Sequence, residues 1–253
     1  MNGIQGKVAI VTGGGQGIGA ETIRAFAREG AKVVISDVVD GPGKALADEL
    51  NAAGSEALFV HADVTKEDDV RASVEAAVAR FGRLDFAVNN AGIGGASAPT
   101  GEYKLADWQR VIDINLTGVF LSMRYELPEL LNAGGGVIVN VASILGWVGF
   151  AGSPAYVAAK HGVIGLTKAA AIDYGAQNIR VCAVSPGFIM TPLLETAGIT
   201  PGSDTYNALA QAHAMKRLGT PKEVSELILW LCSAEASFVT GSAVLVDGGY
   251  VAM

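Results

Sequence analysis

Short apolar stretches alternate with amphipathic stretches along almost the whole chain. Seven of the short stretches are rich in valine and isoleucine and apolar on both faces, which predicts buried parallel strands. They are Lys7–Thr12, Lys32–Asp37, Ala57–Ala62, Leu84–Asn89, Val137–Ala142, Ile179–Ser185 and Ala243–Val246.

Segments with helical residue preferences and an apolar stripe separate these strands, and Gly or Pro residues mark their ends. They are Glu21–Arg28, Pro42–Ala53, Glu67–Phe81, Ala106–Asn132, Ala155–Tyr174 and Pro221–Leu231. Strand–helix–strand repetition predicts an α/β fold. We expect a single-domain, Rossmann-like, doubly wound parallel sheet of about seven strands with helices on both faces.

Composition narrows the class of protein. The 253 residues are 50% apolar and contain no linker or repeat, so one domain spanning residues 1–253 is expected. The net charge of −7, without a basic cluster, argues against nucleic acid or an anionic membrane as a partner. The N-terminus runs into a strand without a signal sequence, which predicts a cytoplasmic location.

Neither cysteine nor histidine spacing indicates a metal site. Cys182 and Cys232 stand among apolar neighbours, which predicts buried free thiols. His61, His161 and His213 show no ligand spacing, and we interpret them as structural or surface residues.

A glycine-rich stretch, Thr12-Gly-Gly-Gly-Gln-Gly-Ile-Gly19, connects the first predicted strand to the first helix. Its backbone N–H groups and the positive end of the helix can receive a pyrophosphate. Gly13, Gly17 and Gly19 have no side chain that would block the approach of the pyrophosphate to the backbone. The pattern predicts a dinucleotide site at the carboxyl edge of the sheet.

Asp37 ends the second predicted strand, eighteen residues after Gly19. A carboxylate at this offset accepts from the ribose hydroxyls of the adenosine and repels a 2′-phosphate. Neither Gln16 nor Val38 offers a cation for that phosphate, so NAD is favoured over NADP. The alternative is an aspartate that caps the turn before Gly41.

Tyr156 and Lys160 are four residues apart, and Ser143 precedes Tyr156 by thirteen residues. On a helix the pair shares one face, where the ammonium is expected to lower the phenol pKa and make Tyr156 a proton shuttle. An exposed pair on a solvated helix is the alternative. The glycine loop favours the catalytic interpretation.

Together, these motifs resemble the short-chain dehydrogenase/reductase family of about 250 residues, from Lys7 to Tyr250. The matching motifs are the glycine loop, Asp63-Val64, Asn89-Asn-Ala-Gly92, Asp113-Ile-Asn-Leu-Thr-Gly118, the Ser143, Tyr156 and Lys160 set, and Ser185-Pro-Gly-Phe-Ile-Met-Thr191. Ala159 departs from the pattern, since serine is frequent there, but the catalytic positions are intact.

The resemblance implies a role for each motif. Ser143 would bind the substrate oxygen, Tyr156 would exchange the proton, Lys160 would lower the tyrosine pKa and hold the nicotinamide ribose, and Asn115 would anchor a water chain to Lys160. The implied cofactor-binding residues are Gly13, Gln16, Gly17, Ile18, Gly19, Asp37, Asp63, Val64, Asn90, Ala91, Gly92, Tyr156, Lys160, Pro186, Gly187, Ile189 and Thr191. A homotetramer is also implied.

The expected substrate pocket is apolar. Its candidate residues are Ser143, Leu145, Trp147, Phe150, Tyr156, Met190 and Leu194, with Ile144, Val148 and Leu193 nearby. No Arg or Lys stands ready for a carboxylate, which favours a neutral, hydrophobic secondary alcohol or its ketone; alicyclic, terpenoid, aryl and steroidal compounds remain open. Any one of these side chains could instead pack in the core or a subunit contact.

Two further expectations concern mobility and assembly. The segment 191–217 predicts a lid over the substrate. The alanine-rich face of Ala155–Ala171 and the tail Tyr250–Met253 are candidate subunit contacts, although both could be internal.

The sequence therefore predicts an NAD(H)-dependent oxidoreductase that interconverts a secondary alcohol and a ketone by hydride transfer at nicotinamide C4. Three alternatives stay open. An NADP-linked 3-oxoacyl-thioester reductase is disfavoured by Asp37, and a non-catalytic nucleotide sensor is disfavoured by the intact Ser143, Tyr156 and Lys160. An epimerase or dehydratase of the same fold is the third.

Overall fold

One seven-stranded sheet, parallel throughout, runs through the molecule. The computed structural model describes residues 1–253, and the strand order is β3-β2-β1-β4-β5-β6-β7. The strands are β1 (Val8–Thr12), β2 (Lys32–Asp37), β3 (Ala57–His61), β4 (Phe86–Asn89), β5 (Gly136–Val141), β6 (Ile179–Pro186) and β7 (Ala243–Val246). All seven predicted strands are confirmed.

Nine α-helices connect and cover the strands. They are α1 (Gly17–Arg28), α2 (Asp40–Ala52), α3 (Glu67–Phe81), α4 (Leu105–Ile112), α5 (Gly118–Asn132), α6 (Pro154–Tyr174), α7 (Pro192–Thr196), α8 (Asp204–Gln211) and α9 (Pro221–Cys232). None of them has both the length and the hydropathy that crossing a bilayer requires.

The predicted helix Ala106–Asn132 is interrupted. A π-helical turn, Asp113–Thr117, separates α4 from α5. The prediction of one helix was wrong here because the apolar stripe continues across the turn. A π turn shifts the following residues around the helix axis and is often found at functional sites. In this turn Asn115 is completely buried.

Two apolar layers cover the faces of the sheet. Helices α1, α2 and α9 supply one layer, and α3, α5 and α6 supply the other. Both cysteines lie in the first layer as buried free thiols, as predicted.

The alanine-rich side of α6 packs within the chain. Ala155, Ala159, Ala170 and Ala171 are all at most 6% exposed and belong to the internal apolar clusters. These four alanines are therefore internal, as the alternative interpretation expected, whereas Ala158 and Ala169 of the same helix are exposed, and the role of α6 in a subunit contact stays a prediction.

The strand order reverses between β1 and β4, which places the crevice of a doubly wound sheet at the carboxyl ends of these strands. Thr12 and Asn89 pair at the last register position of the two strands. The loops that leave them carry the glycine-rich stretch and the Asn90-Ala91-Gly92 turn.

Candidate active site

The glycine loop is shaped by contacts that exclude side chains. A Cβ on Gly19 would lie 2.1 Å from the carbonyl oxygen of Gly13, and one on Gly13 would lie 2.9 Å from the Cα of Ala91. Gly13 and Gly17 also have positive φ values of 60° and 54°, which favour glycine. The loop therefore presents bare backbone where α1 begins, as a pyrophosphate site requires.

Asn90 joins the glycine loop to β4. Its Nδ2 donates to the carbonyl oxygens of Thr12 at 3.0 Å and Gly13 at 2.9 Å. In return, Thr12 Oγ1 accepts from the N–H groups of Asn90 and Ala91 at 3.0 and 3.2 Å. Thr12 is thus a structural partner that the motif comparison did not single out.

Both carboxylate oxygens of Asp37 accept hydrogen bonds from backbone N–H groups. Oδ2 accepts from the Gly15 N–H and Oδ1 from the Val39 N–H, each at 2.9 Å. The carboxylate thus caps the turn after β2 and positions the glycine loop, and because each oxygen has a second lone pair, its role toward the ribose stays a prediction. Lys44, the cation that follows on α2, is engaged elsewhere, since it contacts Asp40 at 2.7 Å, and His61 of β3 contacts the same carboxylate at 2.7 Å.

Helix α6 brings Tyr156 and Lys160 to one face. The Lys160 Nζ lies 5.5 Å from the centre of the Tyr156 ring and donates to the Val141 carbonyl oxygen at 2.7 Å. The side chain is almost fully buried, and this burial lowers the pKa of Lys160 to about 8. Near neutral pH the ammonium is therefore the dominant form but gives up its proton readily.

Burial raises the pKa of the Tyr156 phenol, and the neighbouring Ser143 side chain partly opposes the rise. The predicted depression of this pKa by Lys160 is wrong in direction, because desolvation of the phenolate outweighs the effect of Ser143 and the lysine donates to Val141 instead. Ser143 is the group that favours the phenolate.

Ser143 follows β5 in extended backbone, with φ −174°. Its Oγ accepts from the Leu145 N–H at 3.1 Å and so caps the short 3₁₀ turn Ile144–Gly146. The cap fixes the Ser143 hydroxyl beside the Tyr156 phenol.

Asn115 clamps the loop after β4. Its Nδ2 donates to the Ile93 carbonyl oxygen and its Oδ1 accepts from the Ile93 N–H, both at 2.8 Å. A Cβ on Gly92 would lie 3.3 Å from that Oδ1 and 3.8 Å from the Lys160 Nζ, so the three residues are neighbours. Ile93 uses one of the two N–H donors and one of the two lone pairs of the Asn115 amide, and the predicted water chain to Lys160 stays a prediction.

The segment after β6 reaches the glycine loop. Pro186 ends β6, and the Gly187 N–H donates to the Val246 carbonyl oxygen at 3.1 Å. The buried Ile189 leads to Thr191, whose methyl group would lie 3.4 Å from a Cβ on Gly17. Of these predicted cofactor residues, Thr191 is the one that contacts the glycine loop, in which Gln16 is exposed and Ile18 packs partly into the core.

Asp63 and Val64 are engaged in packing and capping. The Asp63 Oδ1 accepts from the Thr65 N–H at 3.0 Å and the Thr65 hydroxyl at 2.7 Å. Burial opposes ionisation, but these bonds hold the pKa of Asp63 below its usual value. Val64 packs against Gly118, where a Cβ would lie 2.9 Å from its Cγ2.

The candidate substrate residues differ in exposure. Trp147 and Phe150 are 44% and 40% exposed, whereas Leu145 is 7% exposed and belongs largely to the core. The Trp147 Nε1 donates to Ser185 Oγ at 3.0 Å. Met190 and Leu194 are half-buried at the start of the segment 191–217, which contains helices α7 and α8.

A buried polar chain below the site was missed from the sequence. Asn89 Nδ2 donates to Glu126 Oε2 at 3.1 Å and to Asn140 Oδ1 at 3.0 Å, and Asn140 Nδ2 donates to Thr167 Oγ1 at 2.9 Å. Burial raises the pKa of Glu126 to about 8. No local signal identifies this chain, because its members come from four elements.

Known proteins are similar to this chain in sequence and in fold. A family model described as enoyl-(acyl carrier protein) reductase matches residues 13–251. Cyclohexanol dehydrogenase from Acinetobacter sp. (strain SE19) is 45% identical, with 98% of this chain and 96% of that protein covered. Cis-4-hydroxycyclohexanecarboxylate dehydrogenase from Sinomonas cyclohexanicum is 49% identical, with 98% and 97% covered. The crystal structure of levodione reductase is 38% identical and superposes with a TM-score of 0.94 over 98% of both chains.

Proposed function

Because the chain belongs to the short-chain dehydrogenase/reductase family, we propose that it oxidises neutral cyclic secondary alcohols to ketones with NAD⁺ and reduces the ketones with NADH. The interconversion of secondary alcohols and ketones is the reaction of its dehydrogenase relatives. The observation that carries the proposal is the meeting of Ser143, Tyr156 and Lys160 at the carboxyl edge of the sheet, beside the glycine loop.

The proposed roles of the residues are those that the family resemblance implies, and the contacts within the site support them. Bound nicotinamide supplies or accepts the hydride at C4. Tyr156 takes the hydroxyl proton of the alcohol or returns it to the ketone oxygen, and Ser143 holds the same oxygen while favouring the phenolate. Lys160 holds the nicotinamide ribose and provides a nearby proton store, since its pKa of about 8 lies close to neutrality.

The preference for NAD is supported by charge. Asp37 places a carboxylate between Gly15 of the cofactor loop and the turn after β2. A 2′-phosphate near this carboxylate would meet repulsion. Val38 and Val39, which follow it, are 54% and 50% exposed and offer no positive charge.

The preference for an uncharged substrate is supported by the lid. Its two permanent cations are already engaged, since Lys216 Nζ donates to the Gln211 carbonyl oxygen at 2.8 Å and Arg217 forms a two-pronged ion pair with Glu223. The candidate wall residues Trp147 and Phe150 are aromatic. This lining suits a hydrocarbon ring better than a ring carboxylate.

The proposal also includes assembly and location. We expect a cytoplasmic homotetramer, as the family resemblance implies. Exposed apolar side chains outside the active site, among them Ile172 at 83% and Phe238 at 103% exposure, support burial by other subunits.

A substrate screen tests the proposed function. NADH absorbance is followed with cyclohexanol and with cis-4-hydroxycyclohexanecarboxylate, each with NAD⁺ and NADP⁺. We expect the largest kcat/KM for cyclohexanol with NAD⁺. A preference for NADP⁺ would contradict the role of Asp37, and a preference for the carboxylate would contradict the neutral pocket.

Tyr156→Phe is the matched variant for this screen. It keeps the buried ring and removes only the hydroxyl, so NADH affinity stays unchanged while kcat falls by roughly 10²- to 10⁴-fold. Undiminished turnover would remove Tyr156 from the mechanism.

A further inference from the structure

Four rings from separate segments form one aromatic cluster at the lid. Phe188 packs against Phe150 at 5.8 Å, Tyr250 at 5.8 Å and His213 at 5.9 Å between ring centres, and His213 lies 5.3 Å from Tyr250. Phe150 belongs to the loop that follows Ser143, and Phe188 stands between Gly187 and Ile189 of the proposed cofactor segment. The cluster therefore joins the two loops that flank the proposed substrate pocket.

His213 is buried at 1% exposure, and both ring nitrogens have a partner. Nδ1 lies 2.7 Å from the Leu209 carbonyl oxygen, which can only accept, so this nitrogen donates. Nε2 accepts from the Phe188 N–H at 3.3 Å. These roles fix the neutral tautomer with the proton on Nδ1 and connect the end of α8 to the Phe188 main chain.

Glycines next to His213 leave space for its imidazole ring and for the segment that carries it. A Cβ on Gly187 would lie 2.8 Å from Nε2 and 3.0 Å from the Cα of Asp247. A Cβ on Gly249 would lie 2.8 Å from that of Ala214, and the Met215 N–H donates to the Gly248 carbonyl oxygen at 3.1 Å. His213 thus sits where the lid, the segment after β6 and the C-terminal turn meet.

The packing of neighbouring rings does not enclose Phe188 completely. A cavity of about 270 Å³ is lined by Phe188, His213, Met215 and Leu245, among others, and by none of Ser143, Tyr156 and Lys160. Phe188 therefore borders free volume as well as the rings of Phe150, Tyr250 and His213. Two hydrogen bonds hold the main chain of Phe188. Its N–H donates to His213 Nε2, and its carbonyl oxygen accepts from the Gly219 N–H at 2.9 Å.

We propose that His213 is a positioning residue that holds Phe188 against Phe150 as the wall of the substrate pocket, an inference that rests on the proposed function. His213 Nε2 accepts from the Phe188 N–H and so fixes the position of Phe188. The Phe188 and Phe150 rings together then limit the width of the pocket that receives the substrate ring. His213 touches neither the reacting atoms nor the cofactor loop.

Two substitutions distinguish the roles of the two ring nitrogens of His213. In His213→Gln the amide oxygen takes the place of Nε2 and still accepts from the Phe188 N–H. In His213→Asn the amide nitrogen takes the place of Nδ1 and still donates to Leu209, but the acceptor for Phe188 is lost. His161→Asn is the control, because His161 makes the same bond to a carbonyl four residues earlier, Val157, at 2.9 Å on an exposed face of α6.

The measurements are KM and kcat for cyclohexanol, the Kd of NADH, and amide hydrogen exchange of the segment 186–190. We expect His213→Asn to raise KM roughly 3- to 10-fold, the effect of one lost hydrogen bond, and to speed exchange of the segment. The kcat and the Kd of NADH stay within about twofold. His213→Gln and His161→Asn keep the parental values.

Equal effects of His213→Gln and His213→Asn on KM and on exchange would overturn the proposal. So would a His213→Asn protein that fails to fold or loses NADH affinity along with substrate affinity, because His213 would then support the whole fold. A parent enzyme inactive on cyclic alcohols would instead contradict the proposed function, and the exchange experiment would still decide the role of His213.

Discussion

Glu126 shows at the scale of a single residue how the fold tolerates a carboxyl group below the active site. Its side chain lies in the apolar layer between α5 and the sheet at 1% exposure, and Asn89 Nδ2 is its hydrogen-bond partner. The Asn89 Oδ1 has no donor of its own. Burial outweighs the bond from Asn89 and raises the Glu126 pKa to about 8, so the folded chain keeps the acid protonated at neutral pH.

This raised pKa predicts a pH-dependent stability. Between the ordinary value of 4.5 and about 8 the carboxyl is protonated when folded and ionised when unfolded, so unfolding releases a proton and stability falls as pH rises. Glu126→Gln removes this slope, which is at most about 1.4 kcal/mol per pH unit. Urea unfolding at several pH values between 5 and 8 measures it.

Glu129→Gln, a half-exposed position on the same helix, is the control for this experiment. Parallel curves of stability against pH for the parent and Glu126→Gln would show that Glu126 ionises normally in the folded chain.

At the scale of elements, the glycine loop and the turn after β4 act as one unit. The bonds between Asn90 and the backbone of Thr12 and Gly13 hold the end of β4 against the start of the loop. Gly19 lies under this junction, where a Cβ would also approach the Asn90 Nδ2 to 2.7 Å. Any side chain at Gly19 must therefore push the loop away from β4.

Gly19→Ala is expected to weaken NADH binding on the order of 10- to 100-fold, because the loop loses charge-assisted hydrogen bonds to the pyrophosphate. Gly175→Ala is the control, since Gly175 has helical backbone and nothing lies within 4 Å of its added Cβ. That variant keeps its NADH affinity and gains about 0.4–1 kcal/mol of stability. Fluorescence titration and thermal unfolding measure both; unchanged affinity in Gly19→Ala would contradict the loop geometry.

The sequence was most informative where a property is local. Apolar runs bounded by glycine identified every strand, and the spacing of Tyr156 and Lys160 identified their shared face of α6. The π turn at Asn115 was missed because its stabilising contact is to Ile93 on another segment. The pKa of Tyr156 was predicted in the wrong direction because burial depends on the whole fold.

The same limit applies to the segment 191–217. Its helical background agrees with helices α7 and α8, and His213 is a buried structural residue, one of the two possibilities that the sequence left open. The partner of His213 was missed, because Phe188 is 25 residues away in the sequence.

At the scale of the whole molecule, the exposed large apolar side chains include two groups that are candidates for subunit contacts. One surface is on α5 and α6 and includes Phe120 and Ile172; the other is around α9 and the edge strand β7 and includes Trp230, Phe238 and Leu245. Two separate self-contacting surfaces are what a tetramer with dihedral symmetry needs.

Light scattering after gel filtration tests this assembly. The parent is expected at four times the 25.9 kDa of one chain. Phe238→Glu places a charge in the second surface and yields a smaller species, whereas Ala72→Glu on the exposed side of α3 leaves the tetramer intact. A parent protein of 25.9 kDa in solution would contradict the homotetramer.

The bond between the Trp147 indole and Ser185 has a practical consequence. It fixes a fluorophore, 44% open to solvent, at the junction of the loops that follow β5 and leave β6. Of the three tryptophans, Trp230 lies on α9 and Trp108 on α4, so Trp147 is the one anchored to the carboxyl end of a strand, β6. The fluorescence emission of Trp147 is therefore expected to change when a ligand occupies the space between those loops.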